Sequence, residues 1–462
     1  MELVRKVDTW LSQFRAVFRR QVPFGWFVLT VWALLLHFDG SGLTSVIRSF
    51  GLASCEYYSL LHFFHSSAFE TQALCAQWRE LLGRQAPLLR LVEKPVYVVD
   101  GLVCAKAGKK MPGVKSLHQA SEDNSKAEFV MGHFWGALSL LTQVGSRIFA
   151  TPLRFALQDG LKSSPAQKDT HITRMRQLVV SSAGEVGTVL ADCQYACRPI
   201  LEGLRKAGFH LISRVRLNAV AYEPAPKHTR RRRGRPKKYG KKVQLKALFD
   251  RRELFRSVEV ELYGEKQPAL LHEAVVYWQR TLVKLVLAMD GKGRKAIFLS
   301  TNTQLSAEAI VVAYGWRFKI EVSFRALVER LVAFCYRFWM KGMEKRKRGA
   351  GTQYLHRAGE EYRANVARKV EAYERFVNLA AIGLGLLQLL ALQHAEAVWA
   401  RLPLWFRTLR KEAGPSEHIV RVTLQAEMAS IFASNEPGSL LAKILATRAK
   451  ADLPPHPLKV AA

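Results

Sequence analysis

Asp100, Asp192 and Glu321 are the residues of this chain whose type and placement could do chemistry together. Asp100 ends the run PVYVVD, and Asp192 ends the apolar stretch of EVGTVLAD. Each follows a short run with β-branched residues and precedes a turn, which places it at the carboxyl end of a strand. If the two strands are neighbours, ligands collect at that edge. Glu321 lies in YGWRFKIEVSFR, residues 314–325. Wound as a helix, this segment puts Tyr314, Arg317, Glu321 and Arg325 on one stripe, because residues three, four and seven apart share a face. A neighbouring stripe, Ile320, Phe324, Leu327 and Leu331, is apolar and can pack on a sheet, bringing Glu321 to the aspartates. Three carboxylates at one point repel unless cations neutralise them. Two Mg²⁺ ions, about 3.5–4 Å apart, would do so and would clamp both the attacking and the leaving oxygen of a phosphoryl transfer.

Each residue also has a plainer reading. Aspartate ends strands because it makes turns, and Asp290 of MDG reads as a hairpin turn of that kind. Arg317, Glu321 and Arg325 could form a surface ladder in which each pair contributes only about 0.2–0.5 kcal/mol.

The elements that must hold these residues are legible as changes of texture. Residues 1–90 read as helical. LTSVIRSF, the turn GLAS and EYYSLLHFF have the proportions of a DNA-reading helix-turn-helix, or of an ordinary three-helix bundle. The catalytic core begins at 91 and runs to 216. It contains the strand AEFVMGHFWGALSLL and a helix around 173–183. The strand GFHLISRVRLNAV carries Arg214 and Arg216 at alternate positions, on one face. Residues 217–300 read as a β-rich insertion, 301–400 as the second part of the core, and 401–462 as a helical region suited to oligomer contact. His118 and His133, which flank the first aspartate segment, read as structural.

Composition narrows the partners. The chain of 462 residues has 70 Lys and Arg against 38 Asp and Glu, a net charge of +32. A folded protein so cationic repels itself unless a polyanion offsets it, and nucleic acid comes before an anionic membrane surface. The apolar runs at 25–38 and 379–393 are shorter than the roughly 20 residues of a membrane span and read as buried helices. Six cysteines without a CxxC pair argue for packed thiols in a reducing compartment rather than for a zinc site. The run KHTRRRRGRPKKYGKK, residues 227–242, holds ten Lys and Arg in sixteen residues. Arg233-Gly234-Arg235-Pro236 suits a narrow A·T-rich minor groove, with Lys237 and Lys238 beside it. A basic loop binding phosphates without preference is the alternative. Trp278 could stack on an extruded base, and reads more simply as a packed aromatic.

Taken in order, VVDG with KAGKKMPGV, then GHFW, LADCQYA, FHLISRVR, RRGRPKKYGKK and YGWRFKIEVSFR resemble the DDE transposases of bacterial insertion sequences, the group with a Tyr-x2-Arg-x3-Glu signature. The resemblance spans most of 90–345. It implies an α/β ribonuclease-H-like catalytic core with an inserted β-rich domain, flanked by helical N- and C-terminal regions. It also implies a metal-bound triad of Asp100, Asp192 and Glu321, with Mg²⁺ as cofactor and Mn²⁺ able to substitute. Tyr314 and Arg317 are its signature residues. The signature Lys, seven residues after the Glu, is Val328 here, and Arg325 is the nearby cation that could take up its phosphate contact. The implied activity is cleavage and strand transfer of double-stranded DNA at terminal inverted repeats and target. A homodimeric synaptic complex, associated with DNA in the bacterial cytoplasm and with no membrane, would carry it out. A nuclease that only hydrolyses, and an inactive relative kept for DNA binding, are the alternatives.

Overall fold

The computed structural model describes residues 2–36, 42–119, 127–164, 166, 169–226, 237–262, 264–407, 409–433 and 439–449. Arg233, Arg235 and the C-terminal stretch from 450 lie outside them.

Five strands form the core of the sheet: β1 (Lys94–Ala105), β2 (Phe129–Val144), β3 (Arg147–Leu157), β4 (Thr188–Ala191) and β5 (His210–Val215). Their spatial order is 3-2-1-4-5. β1, β2 and β3 form an antiparallel meander, whereas β4 runs parallel to both β1 and β5. Parallel strands covered on both faces read as unbroken apolar runs, and all four residues of β4, Thr-Val-Leu-Ala, are buried.

The β-rich stretch after 217 is not a separate sheet. Its strands are β6 (Val220–Pro224), β7 (Tyr239–Gln244), β8 (Arg256–Leu262), β9 (Glu265–Trp278), β10 (Thr281–Asp290) and β11 (Lys295–Ser300). β11 pairs antiparallel with β5, with Ile297 opposite Val215. β10, β9 and β6 continue outward from it. Sequence texture marks where such a segment starts, but not whether its edge pairs with the core, because pairing is a non-local property.

The helices that matter for the site are α1 (Gln21–Leu36), α2 (Arg198–Lys206), α3 (Ala307–Trp316), α4 (Lys319–Glu329) and α5 (Glu360–Gln393). α5 is charged in its first half and wholly buried from Phe376 to Leu392. It is long and apolar enough to cross a membrane, but 94% of its apolar window is buried inside the fold. It lies along β3, an edge strand with unpaired backbone groups, which edges normally have to cover. Asn378 covers them, accepting from Phe155 N at 2.8 Å and donating to Phe155 O at 2.9 Å. Glu374 accepts from Leu157 N and pairs with Arg154 at 2.5 Å. Gly385 is required here, since a Cβ would stand 2.2 Å from the Trp78 ring.

The N- and C-terminal helical regions, distinct in sequence, share one core around α5 and the apolar α1. Asp8 accepts from the Trp32 indole at 3.0 Å and from Leu440 N at 2.6 Å. Arg421 donates to Leu36 O. The two short helices of the helix-turn-helix segment are Leu43–Ser49 and Glu56–His65, and the second packs on α5 through buried Leu60, Phe63 and Phe64. All six cysteines are free thiols.

His133 is fully buried on β2. Its Nε2–H donates to Pro112 O at 2.9 Å, and its Nδ1 accepts from the Tyr336 hydroxyl at 2.6 Å. Burial pushes the imidazole down to about 3. With the folded pKa below the unfolded value near 6.5, this stabilisation is complete above pH 6.5 and is lost as pH falls, by about 1.4 kcal/mol per pH unit. Urea denaturation of the wild type and His133→Asn at pH 7 and pH 5 should show the variant less stable at both. The wild type should lose about 2 kcal/mol more than the variant on acidification. Equal losses would show that His133 is not held neutral.

Candidate active site

The parallel register of β1 and β4 fixes the first two carboxylates. Val99 lies opposite Ala191, so Asp100 and Asp192 are the next residues on two strands about 4.8 Å apart. β4 ends there, and Asp192 precedes a 3₁₀ turn, Cys193–Tyr195, its backbone carbonyl accepting from Tyr195 N at 2.9 Å. The Ser213 hydroxyl of β5 donates to Asp192 O at 2.9 Å and holds this turn against the sheet.

Glu321 reaches the same point from α4. The buried stripe Ile320, Phe324, Leu327 and Leu331 faces the core. Ser323, two residues beyond the glutamate, donates to Ala150 O of β3 at 2.8 Å. The segment 314–325 is not one continuous helix. Arg317 N bonds Tyr314 O, and Ile320 N bonds Arg317 O, both i→i−3. Such tightened turns separate α3 from α4 and place Arg317 at the break.

That placement explains the site's electrostatics. Arg317 NH1 donates to Asp100 Oδ2 at 2.8 Å, and NH2 donates to Glu321 Oε1 at 2.7 Å. One planar guanidinium fork thus spans two carboxylates, each bonded to a different terminal nitrogen. Asp100 also accepts from Gly101 N at 2.8 Å. Burial nevertheless pushes its carboxyl up to about 6 against the pull of Arg317, and the charges of Asp192 and Glu321 add to that rise. Burial works against the Arg317 cation, and Asp100, Tyr314 and Glu321 hold its pKa above the ordinary value. The three carboxylates therefore share one electrostatic site, in which Arg317 is the cation bonded to Asp100 and Glu321.

The other expected residues divide. Tyr314 packs on Phe298 with ring centroids 5.0 Å apart, and burial raises its phenol to about 12. Arg214 and Arg216 are exposed, and their charges reach Cys193, next to Asp192. Arg325 does not face Glu321. It is exposed and pairs with Glu329, at 2.9 and 3.0 Å to the two carboxylate oxygens. Lys237 is exposed, and Lys238 donates to Arg280 O while its ammonium lies 5.0 Å from the Tyr277 ring. Trp278 donates its indole N–H to Ala196 O at 3.1 Å, which makes it a packed residue bracing the segment after Asp192. Asp290 makes the expected turn, accepting from Lys292 N and Arg294 N.

Sequence reasoning missed Tyr195. Its ring is buried, and a Cβ on Gly101 would come within 3.5 Å of its hydroxyl. Burial first, then Asp100 and Asp192, raise its phenol. Its position three residues after Asp192 was the only signal.

Among the described residues no group of three His, Cys, Asp or Glu side chains converges closely enough to hold a metal ion. Arg317 stands between two of the candidates. The donor set itself, carboxylate oxygens, is of the kind a hard divalent cation takes.

A family described as DDE superfamily endonuclease matches residues 13–262, a stretch that includes Asp100 and Asp192 and ends before Glu321. No curated protein sequence matches the chain. Among solved structures, a piggyBac transposase in a synaptic complex with hairpin DNA covers 98% of this chain and 84% of its own. Its identity is 9% and its TM-score 0.36, a likeness too low to carry an argument.

Arg317→Gln keeps polar contacts and removes the cation. In metal-free buffer it should cost about 3 kcal/mol, because two partly buried carboxylates lose their partner. Millimolar Mg²⁺ should then raise the melting temperature of the variant more than that of the wild type, where Arg317 competes for the same oxygens. A melting temperature indifferent to Mg²⁺ in both proteins would show that these carboxylates do not take a divalent ion.

Proposed function

We infer, from the premise that this chain belongs to the DDE superfamily endonucleases, that it is a transposase. It cuts DNA at the ends of an insertion sequence and joins the freed 3′ hydroxyl to target DNA by in-line attack. The observation that carries this reading is the adjacency of Asp100 and Asp192 on neighbouring parallel strands, with Glu321 linked to Asp100 through Arg317. The strand order 3-2-1-4-5 supports a ribonuclease-H-like core.

Asp100, Asp192 and Glu321 would hold two Mg²⁺ ions, or Mn²⁺ in their place. Bound there, the metals would activate the attacking water or 3′ hydroxyl and stabilise the leaving oxygen. The chain's own part is placement. The β1–β4 register sets the aspartates at one level, and Ser323 anchors the helix of Glu321. Arg317, released from its carboxylates, has the fork that suits a substrate phosphate. Arg214 and Arg216, exposed beside the Asp192 turn, supply further phosphate contacts. Arg233, Arg235, Lys237 and Lys238 belong to the loop that would follow the DNA, and the helical segment 43–65 would help read the terminal inverted repeats. Two copies would hold the paired ends in a synaptic complex in the bacterial cytoplasm.

Hydrolysis without joining is the second reading, favoured by Val328 at the position of the signature Lys and by the engagement of Arg325 with Glu329.

Element-end duplexes incubated with Mg²⁺ and wild-type protein should yield nicked and joined products. Asp192→Ala and Glu321→Gln should lower the rate at least about 100-fold, since metal-site integrity sets activity, with DNA binding retained. Equal cleavage by the wild type and Asp192→Ala would sink the assignment. Cleaved but never joined ends would leave the hydrolase.

A further inference from the structure

Two basic loops far apart in sequence are joined in the fold. The first, AKAGKKMPGVK (105–115), leaves the end of β1. The second, KGMEKRKRGAG (341–351), lies between α4 and α5. Backbone hydrogen bonds link them: Met340 N to Lys110 O at 2.9 Å, Arg346 N to Lys109 O at 2.8 Å, and Ser116 N to Ala350 O at 2.8 Å. Lys110 Nζ donates to Lys341 O at 3.0 Å. Beneath, the buried Lys106 donates to Phe334 O and Tyr336 O, with its ammonium 3.5 Å from the centre of the Tyr336 ring. Gly108 packs closely, since a Cβ there would stand 2.6 Å from Met111 Sδ and 3.3 Å from the Trp339 indole nitrogen.

This seam leaves the charged ends outward. Lys109, Lys341, Lys345, Lys347 and Arg348 are exposed, and none pairs with a carboxylate among the described residues. Trp339 stands among them with 61% of its surface exposed. An open cleft of about 690 Å³ lies within the second loop, lined in part by Lys345, Arg346 and Arg348. Unpaired cations on a hydrogen-bonded backbone cost self-repulsion that the fold does not relieve. A polyanion relieves it, and an aromatic interleaved with the cations suits a nucleic acid.

We propose that the joined loops 105–115 and 341–351 form a second phosphate-binding surface, which holds the backbone of double-stranded DNA flanking the cleavage site. The loops begin five residues along β1 from Asp100, about 17 Å, so a duplex lying across the carboxylates would meet them about five base pairs away. The proposal rests on the reading of the site as one that acts on DNA, and it adds a contact the catalytic residues do not make.

The test compares the full chain with a variant carrying Lys109→Gln, Lys345→Gln, Lys347→Gln and Arg348→Gln. A control exchanges the three lysines for arginine. Binding to duplexes of about 10 and about 30 base pairs, roughly 34 and 100 Å long, is measured over a salt series in EDTA. For the long duplex, the slope of log K against log salt should fall by about 3–4 in the glutamine variant, since each lost phosphate contact removes about 0.9. The arginine control should keep the slope. Binding of the short duplex, centred on the cleavage site, should change far less. An unchanged slope on the long duplex, in a variant that melts like the wild type, overturns the proposal. So does a variant that loses only binding to phosphatidylserine vesicles. Cleavage by the wild type is scored separately. A reduced slope without cleavage would keep this surface and reject the transposase reading, whereas cleavage with an unchanged slope would do the reverse.

Discussion

The structure around the candidate site depends on one guanidinium. Parallel pairing of β1 with β4 puts two aspartates at one level, and α4 adds a glutamate. Such an arrangement resists itself in a partly buried place. Arg317 offsets part of that repulsion by bridging Asp100 and Glu321. Its two terminal nitrogens reach one carboxylate each, from a tightened turn between α3 and α4. The helix break, the burial of the Ile320 stripe and the anchoring of Ser323 all serve the same geometry.

Local pattern made much of this legible. The β-branched runs before Asp100 and Asp192 are strands and the apolar stripe of α4 is buried, but only β4 ends at its aspartate; β1 continues through Asp100 and Gly101 to Ala105, paired with β2 throughout. Pairing was not legible. Arg325 has carboxylates four residues away on both sides and takes Glu329 rather than Glu321. Helical spacing allows both and orientation favours Glu321, but Glu321 is engaged by Arg317. The break at Arg317 was also hidden, since no Gly or Pro stands at 317 or 318 to announce it.

The division into regions shows the same limit. The helical N-terminal and C-terminal stretches look like separate appendages in sequence. In the fold Asp8 caps the helix at Leu440, and Arg448 pairs with Glu56 at 2.9 Å. The buried half of α5 lies between these helices and β3. Its apolar length, which in isolation fits a bilayer, is what a helix with neighbours on every side needs.

The continuity of the sheet through β11 and β5 has a mechanical consequence. Hydrogen-bonded strands transmit displacement along the ladder, and no linker separates the inserted strands from the core at that seam. The ladder is continuous from the carboxylates through β5, β11, β10 and β9, and β6 joins β9 at the single pair Tyr277 and Tyr222. On the proposed reading, a nucleic acid held at those strands would have its span to the carboxylates set by this ladder.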